Sequence, residues 1–256
     1  MTGDVTNARR RVLVTGGGRG VGAAIVTTLA QAGFDVVFTY RSSTEAAEAV
    51  MATLADLVPD ARIEARLLDL GDKNAVETFA RGLEEERFYG VVHNAGQSYD
   101  TLAVMMDQDR AEEAMQVNFW SLTRLAKATL RQMTQARDGR LVVIGSIAAL
   151  RASQGNAAYA ASKAALLGYI RTLAIETARR GVTVNYVAPG FVDTDMLAPY
   201  AAHRATMEKQ IPAGRFGKPE DVAGVVAFLL SPAAAYISGA VLPVDGALSA
   251  ALAVHR

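Results

Sequence analysis

Short apolar runs rich in β-branched residues alternate with longer segments of helical period along almost the whole chain, and this alternation restricts the fold more than any other feature. Runs at 11–15, 35–39, 62–68, 90–93, 140–145, 182–188 and 240–244 read as strands; helical patterns occupy 20–32, 44–57, 72–87, 108–136, 156–180 and 219–230. Within the strand runs apolar residues follow one another instead of alternating with polar ones, as in strands covered on both faces. The pattern predicts an α/β fold: a doubly wound parallel sheet of about seven strands with helices on both faces. No repeat, linker or low-complexity tract interrupts the rhythm, so residues 11–256 are expected to form a single domain behind a short polar extension at 1–10.

Two segments need separate treatment. Residues 222–244 carry no charge and are long enough to suggest a membrane span. Ser231-Pro232 and Ser238-Gly239 break the run as a helix end and a turn would, so it reads as a buried helix followed by a buried strand. Residues 190–217 set Met196, Leu197, Tyr200 and Met207 among prolines and glycines after a strand's C-terminal end; the segment is either a substrate lid or a surface insertion. The chain has 26 basic and 26 acidic residues, so no net charge draws it to nucleic acid or an anionic membrane. Its polar start lacks the apolar core of a secretory signal. There is no cysteine, which removes disulfides, thiol nucleophiles and cysteine-ligated zinc and suits a reducing, cytoplasmic setting. His93, His203 and His255 are widely separated, so no metal site is expected.

The first strand runs directly into Thr15-Gly16-Gly17-Gly18-Arg19-Gly20-Val21-Gly22, and a helix follows at once. Glycines permit a tight turn and close backbone approach to a pyrophosphate, and the helix N-terminus adds free N–H groups and positive dipole. The turn stands where a dinucleotide-binding domain requires it. Sites for NAD usually place an Asp or Glu at the end of the second strand; this chain has Phe38-Thr39-Tyr40-Arg41-Ser42-Ser43. Arg41, helped by Arg19, suits a 2′-phosphate and places NADPH/NADP+ ahead of NAD. Asp69 and Leu70, after the third strand, are placed either to contact the adenine or, for Asp69, to cap a helix.

Tyr159 and Lys163 lie four residues apart and project from one helical face. An ammonium beside a phenol is expected to move the phenol's pKa towards the working range, making Tyr159 a proton donor that can be recharged. Ser146 follows the fifth strand run, at the sheet edge where ligands bind; it is either a partner for a carbonyl oxygen or a turn serine. Asn118 lies inside a helical pattern, where asparagine is disfavoured. It either holds a water in a proton relay towards Lys163 or faces solvent.

These pieces, with Asn94-Ala95-Gly96 and Pro189-Gly190 followed by Thr194, resemble the short-chain dehydrogenase/reductase family over 11–246. The resemblance implies a Rossmann-type sheet, hydride transfer from nicotinamide, and Asn118, Ser146, Tyr159 and Lys163 as the catalytic set, with Lys163 also holding the nicotinamide ribose. It further implies that Asn94, Ala95 and Gly96 flank the cofactor, that Pro189, Gly190, Val192 and Thr194 face its carboxamide, and that the protein is a homotetramer or homodimer. Within the family, the stretches 181–196 and 94–102 are most similar to 3-oxoacyl-acyl-carrier-protein reductases. Arg137 and Arg180 fall where those enzymes place basic residues, and are either carrier-docking groups at the pocket rim or solvent-facing cations at helix C-termini. The resemblance implies acyl carrier protein or another small ketone as substrate partner. A polyketide ketoreductase, a sugar, polyol or small-ketone dehydrogenase, and a non-catalytic nucleotide-binding sensor are the alternatives. Three features depart from the acyl reductases: the segment 148–158, Trp120 on the Asn118 helix, and His93, read as a packing or hydrogen-bonding residue.

Overall fold

A computed structural model describes residues 9–251; most of the polar extension at 1–10, the last five residues of the domain and His255 lie outside the described residues. Seven strands form one sheet in which every neighbouring pair is parallel: β1 (Arg11–Thr15), β2 (Asp35–Tyr40), β3 (Ile63–Leu67), β4 (Gly90–His93), β5 (Gly139–Ile144), β6 (Val182–Pro189) and β7 (Val241–Val244). Their spatial order is β3-β2-β1-β4-β5-β6-β7. The chain winds outward from β1 to β3, then returns to β4 on the other side of β1, which makes the gap between β1 and β4 the topological switch point.

Both faces of the sheet are covered. Val12, Val14, Val36, Phe38, Val142 and Ile144 pack on one side with α1 (Gly20–Gln31), α2 (Thr44–Leu57) and α8 (Pro219–Leu230). Leu13, Val37, Val91, Leu141, Val143 and Val184 pack on the other with α3 (Lys73–Leu83), α5 (Ser121–Ala136) and α6 (Ala157–Thr177). Successive strand residues therefore enter opposite cores, which is why the apolar runs do not alternate. The uncharged stretch resolves into α8, a turn and β7, and among the described residues no helix is long and apolar enough to cross a membrane.

Two helix starts follow capping aspartates: the Asp72 carboxylate accepts from the N–H groups of Asn74 and Ala75, and Asp107 caps α4 (Gln108–Met115) by accepting from Arg110. Asp69 is thus not the helix cap; its carboxylate accepts from Gly71 N–H in the turn before it. Two long helical patterns end or break differently from expectation. The third helix stops at Leu83, and Glu86 instead pairs with Arg11 and Arg66 beneath the sheet. The expected helix at 108–136 contains a π turn at Gln116–Trp120 between α4 and α5, the local widening that often marks a functional site. Residues 190–217 carry a nine-residue 3₁₀ segment, Asp195–His203, and the short α7 (Arg204–Gln210).

Candidate active site

The strands that lead into site residues end, and the helices α1 and α6 begin, at the C-terminal edge of the sheet. A cavity of about 590 Å³ runs along that edge, from Arg41 and the glycine turn, past Asp69, Leu70 and Asn94–Gly96, to Ser146, Tyr159 and Lys163. Pro189, Gly190, Val192 and Thr194 border it, and Asp195, Met196, Leu197 and Pro199 of the 3₁₀ segment lie across it.

The glycine turn is shaped by close backbone packing. Gly16 adopts φ +69°, and a Cβ there would lie 2.9 Å from Ala95 Cα; a Cβ on Gly22 would lie 1.9 Å from the Gly16 carbonyl oxygen. Asn94 closes the switch point from β4, donating from Nδ2 to the carbonyls of Thr15 and Gly16 at 3.1 and 3.0 Å. The first turn of α1 has no side-chain cap and no acidic residue, so its N–H groups face the cavity without a competing anion. Arg19 and Arg41 are exposed beside it, and among the described residues no carboxylate pairs with either. This cradle fits a dinucleotide whose pyrophosphate meets the turn. Thr39 and Tyr40 at the end of β2, with Ser42 and Ser43 after it, also line it, and the run of hydroxyl-bearing residues around Arg41 is their signal in the sequence.

At the other end of the cavity Ser146 stands immediately beyond β5. Its hydroxyl accepts from Ala148 N–H at 3.1 Å, which makes it a turn serine, and the same residue lines the cavity. Tyr159 is only partly buried and reaches the cavity. Burial nevertheless pushes its phenol above the ordinary value, its contact with the Ser146 hydroxyl opposes that push, and the Asp100 carboxylate reinforces it. Lys163 is 3% exposed and donates from Nζ to the Ile144 carbonyl at 3.1 Å. Its Nζ lies 5.8 Å from the centre of the Tyr159 ring, and burial pushes the ammonium down to about 8. The expected lowering of Tyr159 by Lys163 is therefore not what the structure shows, because burial acts against the charged form of each and Lys163 directs its proton at a backbone carbonyl.

Asn118 is corrected too. It is fully buried in the π turn, not solvent-facing, and its side chain is fully engaged: Oδ1 accepts from Gln97 N–H at 2.8 Å, and Nδ2 donates to the Gln97 carbonyl at 3.0 Å and to Ser162 Oγ at 2.8 Å. It clamps the backbone that follows Asn94–Gly96, leaving no side-chain N–H for a water. His93 lies beneath. Thr15 Oγ1 already accepts from the N–H groups of Asn94 and Ala95, so its own hydrogen goes to His93 Nδ1 at 3.2 Å. The proton is then on Nε2, which donates to the Asn118 carbonyl at 3.3 Å. Burial and the Lys163 charge push this imidazole down to about 3, so it is neutral. Among the described residues no group of three His, Cys, Asp or Glu side chains could hold a metal ion.

Arg137 and Arg180 are not at the pocket rim of their own chain. Each precedes a strand, β5 and β6 respectively, and in a parallel sheet all strand starts share the edge opposite the ligands. The length of β5, about 20 Å at the usual rise per residue, separates them from Ser146. Arg137 adopts φ 55° and donates to the Arg179 carbonyl at 3.0 Å, so the two basic segments adjoin one another.

A family model described as enoyl-(acyl carrier protein) reductase matches residues 16–249. The chain is 40% identical over 240 residues to a 3-oxoacyl-acyl-carrier-protein reductase of Vibrio cholerae, covering 92% of this chain and 96% of that one. It is 41% identical over 239 residues to the enzyme of the same name from Pseudomonas aeruginosa, with the same coverage. Among solved structures, a Beutenbergia cavernae protein assigned as an NAD(P)-dependent gluconate 5-dehydrogenase, with NADP bound at low occupancy, superposes with a TM-score of 0.89 at 37% identity, covering 94% of this chain and 97% of that one. A short-chain dehydrogenase/reductase of Serratia marcescens does so with a TM-score of 0.87 at 35% identity, covering 94% and 98%. With the dinucleotide cradle and the Ser146, Tyr159 and Lys163 side chains on one sheet edge, these matches establish that the chain belongs to the short-chain dehydrogenase/reductase family, the NAD(P)-dependent oxidoreductases of CH–OH and C=O groups.

Proposed function

We propose that the protein reduces the ketone of a 3-oxoacyl thioester, carried on acyl carrier protein, to the 3-hydroxyacyl product with NADPH. The observation that carries this reading is the meeting of Ser146 and Tyr159 beside a dinucleotide cradle, because two oxygen-directed groups suit a ketone oxygen that gains charge and then takes a proton. The names of the curated relatives support the ketone over the enoyl group in the family model's description.

Gly16, Gly18, Gly20, Val21 and Gly22 would hold the pyrophosphate and Arg19 with Arg41 the 2′-phosphate, while Asn94–Gly96, Lys163 and the strand end at Pro189–Thr194 would border the nicotinamide half. Bound NADPH supplies the hydride. Ser146 holds the carbonyl oxygen and Tyr159 gives that oxygen its proton. A phenol pushed above its ordinary value arrives protonated at neutral pH, as a reductive step needs. Lys163, still mostly charged at pH 7, stands 5.8 Å from the centre of the Tyr159 ring with its Nζ held at the Ile144 carbonyl, and would border the nicotinamide half of the cofactor. Asn118 positions Gln97 and the Asn94–Gly96 turn. Residues 190–217, whose Asp195, Met196, Leu197 and Pro199 line the cavity, would act as the substrate lid of a cytoplasmic enzyme.

Carrier docking at Arg137 and Arg180 would need the cleft of a neighbouring copy in a homodimer or homotetramer, since these residues lie at the far edge of their own sheet. The gluconate 5-dehydrogenase assignment of one structural neighbour favours a second reading, a free sugar or polyol substrate. NADPH consumption with an acetoacetyl-pantetheine thioester, the matching enoyl thioester, gluconate-type keto sugars and simple ketones separates the readings. Tyr159→Phe should lower turnover by about 10²–10⁴ with NADPH binding intact; wild-type turnover in that variant defeats the mechanism.

A further inference from the structure

β6 brings a phenol beneath the site that the chemistry above does not use. Tyr186 is fully buried among Val184, Ala188 and Leu166, a setting in which an aliphatic side chain would fill the core. Its hydroxyl instead reaches the backbone of both segments that carry site residues. It accepts from Ser146 N–H at 3.0 Å, and its own hydrogen is shared between the Lys163 carbonyl at 3.3 Å and the Ser146 carbonyl at 3.4 Å.

The space for this ring is made by Gly145. A Cβ at that position would lie 1.6 Å from Tyr186 Cζ and 1.9 Å from its hydroxyl oxygen. Gly145 and Tyr186 are therefore a matched pair: the missing side chain admits the ring, and the ring delivers its oxygen to the next residue, Ser146. The end of β5 is also tied to α6 from the opposite direction, because Lys163 Nζ donates to the Ile144 carbonyl. Residues 144–146 are thus bracketed by the two contacts, one through the ammonium and one through the phenol. Burial holds the Tyr186 phenol far above its ordinary value, so it acts through geometry and not by titrating.

We infer that Tyr186 is a positioning residue, whose hydroxyl fixes the Ser146 backbone against the Lys163 turn of α6 and so sets the Ser146 hydroxyl against the Tyr159 phenol. The inference rests on the ketone-reductase reading. Tyr186→Phe removes one oxygen and keeps the ring. Because small misplacements of a reacting group are expensive in rate, kcat should fall about tenfold while the NADPH Kd stays within about twofold. The kinetic isotope effect with deuterated NADPH should rise, as the hydride step becomes limiting. A purely structural role would lower thermal stability without moving the isotope effect.

A second pair of variants guards against misfolding. Gly145→Ala alone should not fold, whereas Gly145→Ala with Tyr186→Val restores the packing without the hydroxyl and should match Tyr186→Phe in rate. The inference is overturned if Tyr186→Phe has wild-type kcat and isotope effect in an enzyme whose Tyr159→Phe variant is inactive. Failure of the wild type to reduce any ketone, or full activity of Tyr159→Phe, would defeat the ketone-reductase reading instead.

Discussion

Lys163 sits 3% exposed at the floor of the cleft, with its ammonium pushed by burial from an ordinary 10.5 down to about 8. Below pH 8 the side chain is charged in the folded and unfolded chains alike, so the native state carries the whole penalty of burying the charge. Between pH 8 and 10.5 the folded chain releases its proton first; the unfolded chain then binds more protons, and stability rises with pH. The displacement corresponds to about 3 kcal/mol. Methionine matches the unbranched stem and removes the charge. Losing the hydrogen bond to the Ile144 carbonyl offsets about 1 kcal/mol of the gain. Lys163→Met is therefore expected to stabilise the protein at pH 7 by about 2 kcal/mol, or about 4–8 °C in Tm for a chain of this size, while abolishing NADPH-dependent turnover. Urea unfolding of both proteins at pH 7 and pH 11, at one fixed protein concentration, reads the difference directly. A variant less stable than wild type at pH 7, or a gain that does not shrink between pH 8 and 10.5, refutes the reasoning.

Three further outcomes are expected. Arg41→Ala should weaken NADPH binding at least about tenfold through loss of a charge-assisted contact and leave NADH within about twofold, by fluorescence titration; equal losses would reject the 2′-phosphate site. Asp100→Asn removes a charge that raises the Tyr159 phenol, so the alkaline limb of the kcat/KM profile should move to lower pH by less than about one unit; an unmoved or upward-shifted limb counts against the assignment. His93, pushed from 6.5 down to about 3, makes the unfolded chain the better proton binder between those values, so native stability falls as pH drops below 6.5. His93→Asn should flatten that acid decline in urea unfolding, and an unchanged slope would show that other groups cause it.

The succession of strands and helices, the cover on both sheet faces and the glycine turn were legible because each depends on local pattern: apolar runs for strands buried on both faces, and glycine where backbone meets backbone at Gly16 and Gly22. Tyr159 and Lys163 were legible because helical spacing alone puts them on one face. What the sequence did not reveal depends on contacts made at a distance. The π turn at Gln116–Trp120 has no local signature, and the clamp of Asn118 on Gln97 joins segments 21 residues apart. The direction of the Lys163 ammonium is set by Ile144, 19 residues away, so helical spacing alone does not fix its pairing with Tyr159. Arg137 and Arg180 were matched by pattern to a role that their own chain places at the wrong sheet edge. Strand polarity, read from the sequence, already contained that contradiction.

Two of the buried polar side chains discussed above act as cross-links between elements and not as reacting groups. His93 joins Thr15 at the end of β1 to the Asn118 carbonyl in the π turn; Tyr186 joins Ser146 after β5 to the Lys163 carbonyl in α6. Neither is required by the sheet, since apolar residues of similar size would fill both cores, and each leaves a backbone partner stranded if truncated. Their placement follows a consistent logic. The strands meet the cavity only at their ends, where ladder hydrogen bonds run out and the backbone is least constrained. Side-chain hydrogen bonds from below therefore do there what the ladder does further down: they hold the cradle and the proton donor at a fixed separation. On this argument the fold supplies the cavity, and buried polar side chains beneath it supply the precision that transfer to a carbonyl demands.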